Sequence, residues 1–245
     1  MTGFPYTLDD PDTAATLGLI VLQADQTIEA DFRRLFPNNG LTLHVTRIPS
    51  GDDLTSDSIA RMESDLPHAA GLFPRAAAFD AVGYACTSGT TLIGAERVAA
   101  LVSGACRTRH VCDPLTAAIA ACRHLGAQRI GLVSPYSADI AMPVRRAFET
   151  AGIVVANAVS FGETQEARVV RISAGSIRAA AEAVARSGVD AVFLSCTNLR
   201  TLDVIPDIEA TLGLPVFGSN LALARAMGRH VPHGRPAGNF RLLSV

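Results

Sequence analysis

Lysine is absent from this chain of 245 residues, so arginine supplies all 21 of its Lys-plus-Arg positions. That absence is chemically restrictive. A pyridoxal phosphate enzyme or a Schiff-base aldolase needs a lysine amine, and a P-loop needs its Gly-Lys-Ser/Thr, so all three classes are excluded. Also missing are a C-x-x-C pair, an H-E-x-x-H, a G-x-S-x-G elbow and a strand-linked G-x-G-x-x-G. These gaps weigh against a zincin, an α/β-hydrolase and a dinucleotide site. His230-x-x-His233 and the alternating His110 and Cys112 offer no three convergent ligands, so no metal is expected. No apolar run approaches the roughly 18 residues of a membrane span. Net charge is −2 with both signs dispersed, which leaves no footprint for nucleic acid. Met1 to Thr16 carries Asp9, Asp10 and Asp12 without a basic cluster; it reads as a polar arm and not as a secretory signal. Five cysteines (86, 106, 112, 122 and 196) are an odd, unclustered set that suits a reducing cytoplasm.

What is present, and twice, is one stretch of thirteen residues. Asp80-Ala-Val-Gly-Tyr-Ala-Cys-Thr-Ser-Gly-Thr-Thr-Leu92 and Asp190-Ala-Val-Phe-Leu-Ser-Cys-Thr-Asn-Leu-Arg-Thr-Leu202 agree at seven positions. These are Asp80/Asp190, Ala81/Ala191, Val82/Val192, Cys86/Cys196, Thr87/Thr197, Thr91/Thr201 and Leu92/Leu202. Each copy reads as a short apolar strand, a polar turn opening on Cys-Thr, and a helix start. Arg129-Ile-Gly-Leu-Val-Ser134 echoes Leu17-Gly-Leu-Ile-Val21 at nearly the same offset. A repeat of about a hundred residues fits the doubling of a half-domain.

Between these marks, continuous apolar runs of strand length alternate with helical spacing. Helices are expected over 27–36, 56–78 (broken at Pro67 and Pro74), 90–103, 115–125, 140–151, 173–186, 205–212 and 219–227. Pro135-Tyr136-Ser137 reads as a turn, and 230–245, rich in Gly, Pro and Arg, as a tail. Strands without polar alternation point to parallel sheets covered on both faces. The expected fold is therefore α/β, with two pseudo-symmetric parallel-sheet lobes and the active site in the cleft between them. Residues 1–115 form the N-terminal lobe, with 222–245 packing back on it, and 116–221 the C-terminal lobe. Ligands of open α/β sheets bind beyond the carboxyl ends of the strands, where both Cys-Thr turns, Gln23 to Gln26 and Tyr136 all fall.

A cysteine at such an end, facing a helix N-terminus, is expected to have its thiolate favoured by unsatisfied N–H groups and the dipole. Cys86 and Cys196, related by an approximate two-fold, would face one small carboxylate from opposite sides. One could remove a proton from a carbon and the other return it to the opposite face. Thr87, Ser88, Thr197 and Asn198 offer donors to the carboxylate, whose charge grows in an enolate-like transition state. The scheme needs no metal or organic cofactor. Cys106, Cys112 and Cys122 lack a repeated context and read as small buried hydrophobes.

These residues resemble the aspartate/glutamate racemase superfamily, nearest to the branch of maleate cis–trans isomerases, arylmalonate decarboxylases and racemase-like proteins of ectoine utilisation. The resemblance runs from Leu17 to about Met227 and is most specific at Tyr84-Ala-Cys-Thr-Ser-Gly-Thr90, Val133-Ser-Pro-Tyr136, Leu194-Ser-Cys-Thr-Asn198 and Leu202-Asp-Val-Ile-Pro206. It implies that Cys86 and Cys196 are the acid/base or nucleophilic pair and that Thr87, Ser88 and Tyr136 help hold a carboxylate. It also implies a homodimer. The decarboxylases have glycine at the first cysteine, so Cys86 argues against decarboxylation. Maleate isomerases carry asparagine in the first turn, where this chain has Asp25, and another near Thr164-Gln165. A carboxylate at 25 would repel a dicarboxylate and pair with a substrate ammonium, which favours racemisation of an amino acid or its derivative. The competing view of Asp25 is a helix N-cap ahead of Glu29. Four functions compete with racemisation: maleate cis–trans isomerisation, arylmalonate-type decarboxylation, Cys-His hydrolysis and non-catalytic binding by a two-lobed protein.

Overall fold

The computed structural model describes residues 3–8, 14–37, 40–53, 55–186 and 188–244, with Ser56 described for its backbone alone. Asp9, Asp10 and Asp12 of the expected arm lie outside the described residues. The first half of the chain runs β1 (Ala15–Leu22), α1 (Ile28–Leu35), β2 (Leu41–Ile48), α2 (Ser56–Gly71), β3 (Ala81–Ala85), α3 (Thr87–Ile93), α4 (Ala95–Ala105) and β4 (Val111–Cys112). After α5 (Pro114–His124) the alternation restarts as β5 (Arg129–Tyr136), α6 (Ala138–Thr150), β6 (Val154–Glu163), α7 (Glu166–Val169), α8 (Ala174–Ala185), β7 (Ala191–Leu194), α9 (Ile205–Leu212) and β8 (Val216–Gly218). The chain ends on α10 (Ser219–Gly228) and α11 (Arg241–Ser244).

The strands form two four-stranded sheets in the orders β2-β1-β3-β4 and β6-β5-β7-β8, with every pairing parallel. The two orders are the same once each strand number of the first half is raised by four. Register follows suit: Gly18 pairs with Val82 in the first sheet and Gly131 with Val192 in the second. Both central glycines are demanded by close approach. A Cβ on Gly131 would sit 2.6 Å from the Val184 side chain, and one on Gly18 would crowd Phe73 and Val82 at 3.0 Å. Helices cover both faces, and β3 and β7 are buried at every residue, as parallel strands between helical layers must be.

The repeated aspartates open the repeat for a structural reason. Asp80 Oδ2 accepts the Thr16 N–H at 3.0 Å, and Asp190 Oδ2 accepts those of Gln128 and Arg129 at 2.9 and 2.8 Å. Each carboxylate thus satisfies backbone donors where the neighbouring central strand begins, and pins the register of β3 on β1 or of β7 on β5.

Several expected boundaries are corrected. The helix over 56–78 runs unbroken through Pro67 and stops at Gly71, well before Pro74. Thr55 caps it, its hydroxyl accepting the Ser58 N–H while Ser58 Oγ accepts the Thr55 N–H. The helix over 90–103 is two helices, parted by Gly94 at a φ of 94°. Pro135 and Tyr136 belong to β5 and not to a turn. Residues 230–244 of the expected tail are docked: Leu242 and Leu243 are buried, the Ala237 N–H donates to Leu35 O, and Glu209 accepts the Arg241 N–H. Helix α10 leaves the second sheet and packs on α5, α1 and β3 of the first half, which ties the two sheets together at the carboxyl ends of their strands.

Candidate active site

The carboxyl ends of β1, β3, β7 and β8 meet in a set of hydrogen bonds between the halves. The Gln26 N–H donates to Asn198 Oδ1 at 2.9 Å and the Thr27 hydroxyl to Asn198 O at 2.9 Å. The Thr197 hydroxyl donates to Ala85 O at 3.2 Å. Ser219 Oγ accepts the Cys196 N–H at 3.0 Å and shares a hydrogen bond with Thr87 Oγ1 at 2.9 Å. Asn220 Nδ2 bridges Thr197 O and Asp31 Oδ2, each at 2.8 Å.

Cys86 stands directly ahead of α3 and acts as its cap. Its Sγ accepts the Gly89 N–H at 3.1 Å, and Ser88 Oγ lies 3.6 Å away. Gly89 has to be glycine, because a Cβ there would fall 2.4 Å from the Tyr84 hydroxyl and 2.9 Å from Cys86 Sγ. Cys196 departs from the expected symmetry. No helix follows it directly; the chain passes through bends to α9, and Cys196 adopts a φ of 119°. A non-glycine residue in that region is strained by about 1–3 kcal/mol. The strain is held by the Ser219 bond and aims the thiol at Tyr136.

The expectation of thiols poised as thiolates is overturned. Both cysteines are 2% exposed. Burial pushes the Cys86 thiol up to about 11, against the opposing pull of Ser88 and the Gly89 N–H. Burial likewise drives Cys196 well above its ordinary value, helped by the nearby Glu166 carboxyl and opposed by the Tyr136 hydroxyl and the Asn198 N–H. Desolvation of the charged form outweighs one short helix start. Both thiols are therefore neutral at neutral pH.

Tyr136 is buried with its hydroxyl beside Cys196, and its titration is raised first by burial and then by Cys196, Cys86 and Glu166. Each thiol thus has its own buried tyrosine hydroxyl, Tyr84 for Cys86 and Tyr136 for Cys196, and Tyr136 feels Cys86 only through its charge. Asp25 Oδ1 accepts the Thr27 and Ile28 N–H groups at 2.8 and 3.0 Å just ahead of α1, whose N-cap position is Thr27, while Oδ2 is buried without a hydrogen-bond partner. Its carboxyl is raised by burial. Of the other expected residues, Thr87 and Thr197 direct their hydroxyls across the halves, and Ser88 lies against Cys86. Asn198 is fully engaged, since its Nδ2 reaches Glu166 O at 3.2 Å and Oε2 at 2.8 Å. In this arrangement it braces the site.

Sequence reasoning missed three residues here: Glu166, Ser219 and Gly89. Glu166 is 4% exposed, couples electrostatically to both thiols and is pushed by burial to about 7. Ser219 was legible as the residue just past the carboxyl end of β8. Glu166 lies in a four-residue helix with no periodicity to announce it. Among the described residues no three His, Cys, Asp or Glu side chains are grouped to hold a metal ion.

The family model described as arylmalonate decarboxylase matches residues 17–243. Arylmalonate decarboxylase of Bordetella bronchiseptica is 32% identical over 218 residues, covering 84% of this chain and 86% of that one. Maleate isomerase of Nocardia farcinica is 25% identical over 224 residues, covering 87% and 88%. Among solved structures, a cysteine variant of the maleate isomerase Iso of Pseudomonas putida S16 with maleate superposes with a TM-score of 0.80 at 23% identity, covering 94% of this chain and 97% of that one.

Proposed function

The chain belongs to the arylmalonate decarboxylase family, and from that premise we propose that it is a two-cysteine isomerase, acting at the carbon beside a carboxylate of an amino acid or amino-acid derivative. One observation carries the reading: Cys86 and Cys196 end equivalent strands of equivalent sheets, and each lies against a buried tyrosine hydroxyl, Tyr84 and Tyr136 respectively. A decarboxylase needs one acid to protonate the carbanion left by carbon dioxide. A second thiol in the opposite half is what exchange of a proton between two faces of one carbon requires.

In this scheme one cysteine, as thiolate, takes the α-proton and the other, as thiol, protonates the opposite face. Burial works in favour of the chemistry, since a thiol titrating near 11 gives a more basic thiolate, closer in strength to a carbon base. Tyr136, Thr87, Ser88 and Thr197 hold the substrate carboxylate, whose second negative charge develops in the transition state. Asp25 Oδ2 faces the substrate nitrogen. The second reading, maleate cis–trans isomerisation, is favoured by the Nocardia relative. There Cys86 would add to the alkene, the carbon–carbon bond would rotate, and Cys196 would handle the proton.

Incubation with candidate acids in deuterated water, followed by proton NMR, separates the readings. The panel holds α-amino acids, N-acetyl-diaminobutyrate, maleate and phenylmalonate. Racemisation washes deuterium into the α-position, cis–trans isomerisation yields fumarate, and decarboxylation releases carbon dioxide. Cys86→Ser and Cys196→Ser are each expected to slow racemisation by roughly 10²-fold or more, the scale of losing a positioned acid or base, while the remaining thiolate can still exchange the α-proton of one enantiomer. Full activity in either variant would defeat the two-base scheme.

A further inference from the structure

The chemistry so far leaves Glu166 without a task. The loop that carries it is stitched to the first half of the chain: the Glu166 N–H donates to Asp52 O at 3.1 Å, and Gln165 forms an antiparallel bridge with Asp53. Asn198 then fixes the carboxyl through Oε2 at 2.8 Å. Asp25 approaches from the other half, across Asn198, close enough for the two carboxyls to repel. Among the described residues no arginine forms an ion pair with Asp25 or Glu166. Arg47, whose charge reaches Asp25, instead donates to the carbonyls of Leu22, Gln23 and Asp25 and pairs with Glu29. The Thr197 hydroxyl lies within reach of both Ala85 O, at 3.2 Å, and the Asp25 carboxyl, and has one proton to share between them. The shared Thr197 proton aside, Asp25 Oδ2 is a buried acceptor without a hydrogen-bond partner, in a side chain 2% exposed.

Two buried acids beside two thiols define what can enter. A dicarboxylate would bring two more negative charges into an interior already holding two acids. An α-amino acid brings one carboxylate and one ammonium, and the ammonium supplies three N–H donors together with the missing positive charge. We propose that Asp25 and Glu166 form the ammonium pocket of this site and restrict it to α-amino acids with a free amine, against dicarboxylates and N-acylated amino acids. Asp25 Oδ2 and the Glu166 oxygen that Asn198 leaves free are the acceptors, and Asn198 sets their spacing. This rests on the two-cysteine reading for the position of the α-carbon, and it narrows the substrate class of that reading.

The test uses pairs of acids that differ in one group on the same carbon: alanine against methylmalonate, and phenylglycine against phenylmalonate, with N-acetylalanine as a third probe. Calorimetry on the full-length Cys86→Ser/Cys196→Ser protein measures binding without turnover. Alanine or phenylglycine is expected to bind at least tenfold more tightly than its malonate partner and than N-acetylalanine. Glu166→Gln and Asp25→Asn, added singly, are each expected to shrink that preference about tenfold, and together to reverse it. Competition against α-exchange in the protein with both cysteines gives the same ranking where a variant folds poorly. A malonate bound as well as its amino acid, a preference untouched by both substitutions, or no binding of either amino acid overturns the proposal. The two-cysteine reading fails separately, if racemisation survives Cys86→Ser or Cys196→Ser.

Discussion

Cys86 and Cys196 start from the neutral side of their titrations, so the residue-scale question is what activity does as pH rises. For an ordinary acid a thiol titrating near 11 means that roughly one molecule in a thousand holds a thiolate at pH 8. The mechanism needs one thiolate and one thiol. Since Cys196 is raised as well, its proton stays in place over the same range. The α-exchange rate is therefore expected to climb close to tenfold per pH unit from about pH 7 to pH 9, with no descending limb in that window. Initial rates of deuterium incorporation across that range check it. A plateau beginning near pH 7 would mean that substrate or a neighbour supplies the thiolate by another route. Tyr136 is not that neighbour, because its own hydroxyl is held protonated by burial and by both thiols.

At the scale of elements, the paired aspartates explain why the two halves keep one architecture after their sequences have diverged. Asp80 receives one strand-opening N–H through its carboxylate and Asp190 receives two. Asp80→Ala is expected to cost more than Asp190→Ala, about 1 kcal/mol or more, because its Thr16 bond is part-buried and it also loses the Arg109 pair, whereas water reaches the two N–H groups that Asp190 serves. Urea titrations of the two variants, read against the parent, rank them. The alternation of strands and helices was legible because the central strands β1, β3, β5 and β7 are largely apolar runs, with β2 and β6 at the sheet edges more polar, and Cys86 and Cys196 were legible as its repeated ends. What was not legible has local causes. Proline chemistry predicts a break in α2 at Pro67, yet Pro67 lies in the last two turns of a helix anchored by the Thr55–Ser58 capping box. Gly94 splits α3 from α4 where spacing alone predicts one helix. Helix α7 has no sequence signature because it is held by Asp52 and Asp53, more than a hundred residues earlier. Glu166 was hidden for the same reason.

Across the whole molecule, three carboxyls are buried where the halves meet, and their joint effect sets how stability depends on pH. Glu166 is raised from 4.5 to about 7, Asp31 from 3.8 to about 6, and Asp25 is raised as well, in each case chiefly by burial. An acid whose folded value lies above its unfolded value holds more protons in the native state. Stability therefore falls as pH rises from the unfolded value to the folded one, and is flat beyond it. For Glu166 the penalty is absent below about pH 4.5 and complete just above pH 7, where it amounts to about 3 kcal/mol. Asp31 adds a similar fall between about pH 4 and 6, tempered by the Asn220 bond that favours its charged form. The protein is thus expected to melt several degrees higher at pH 5 than at pH 8, opposite to a fold held by salt-bridged carboxylates. Glu166→Gln keeps an acceptor for Asn198 and removes the charge, so it should melt above the parent at pH 8 and converge with it near pH 5. Thermal melts of both proteins at half-unit steps decide the matter. A difference that does not shrink on acidification would place the destabilising charge elsewhere. An α-amino acid that enters the site and neutralises the pair should likewise stabilise the parent at pH 8 more than it does Glu166→Gln.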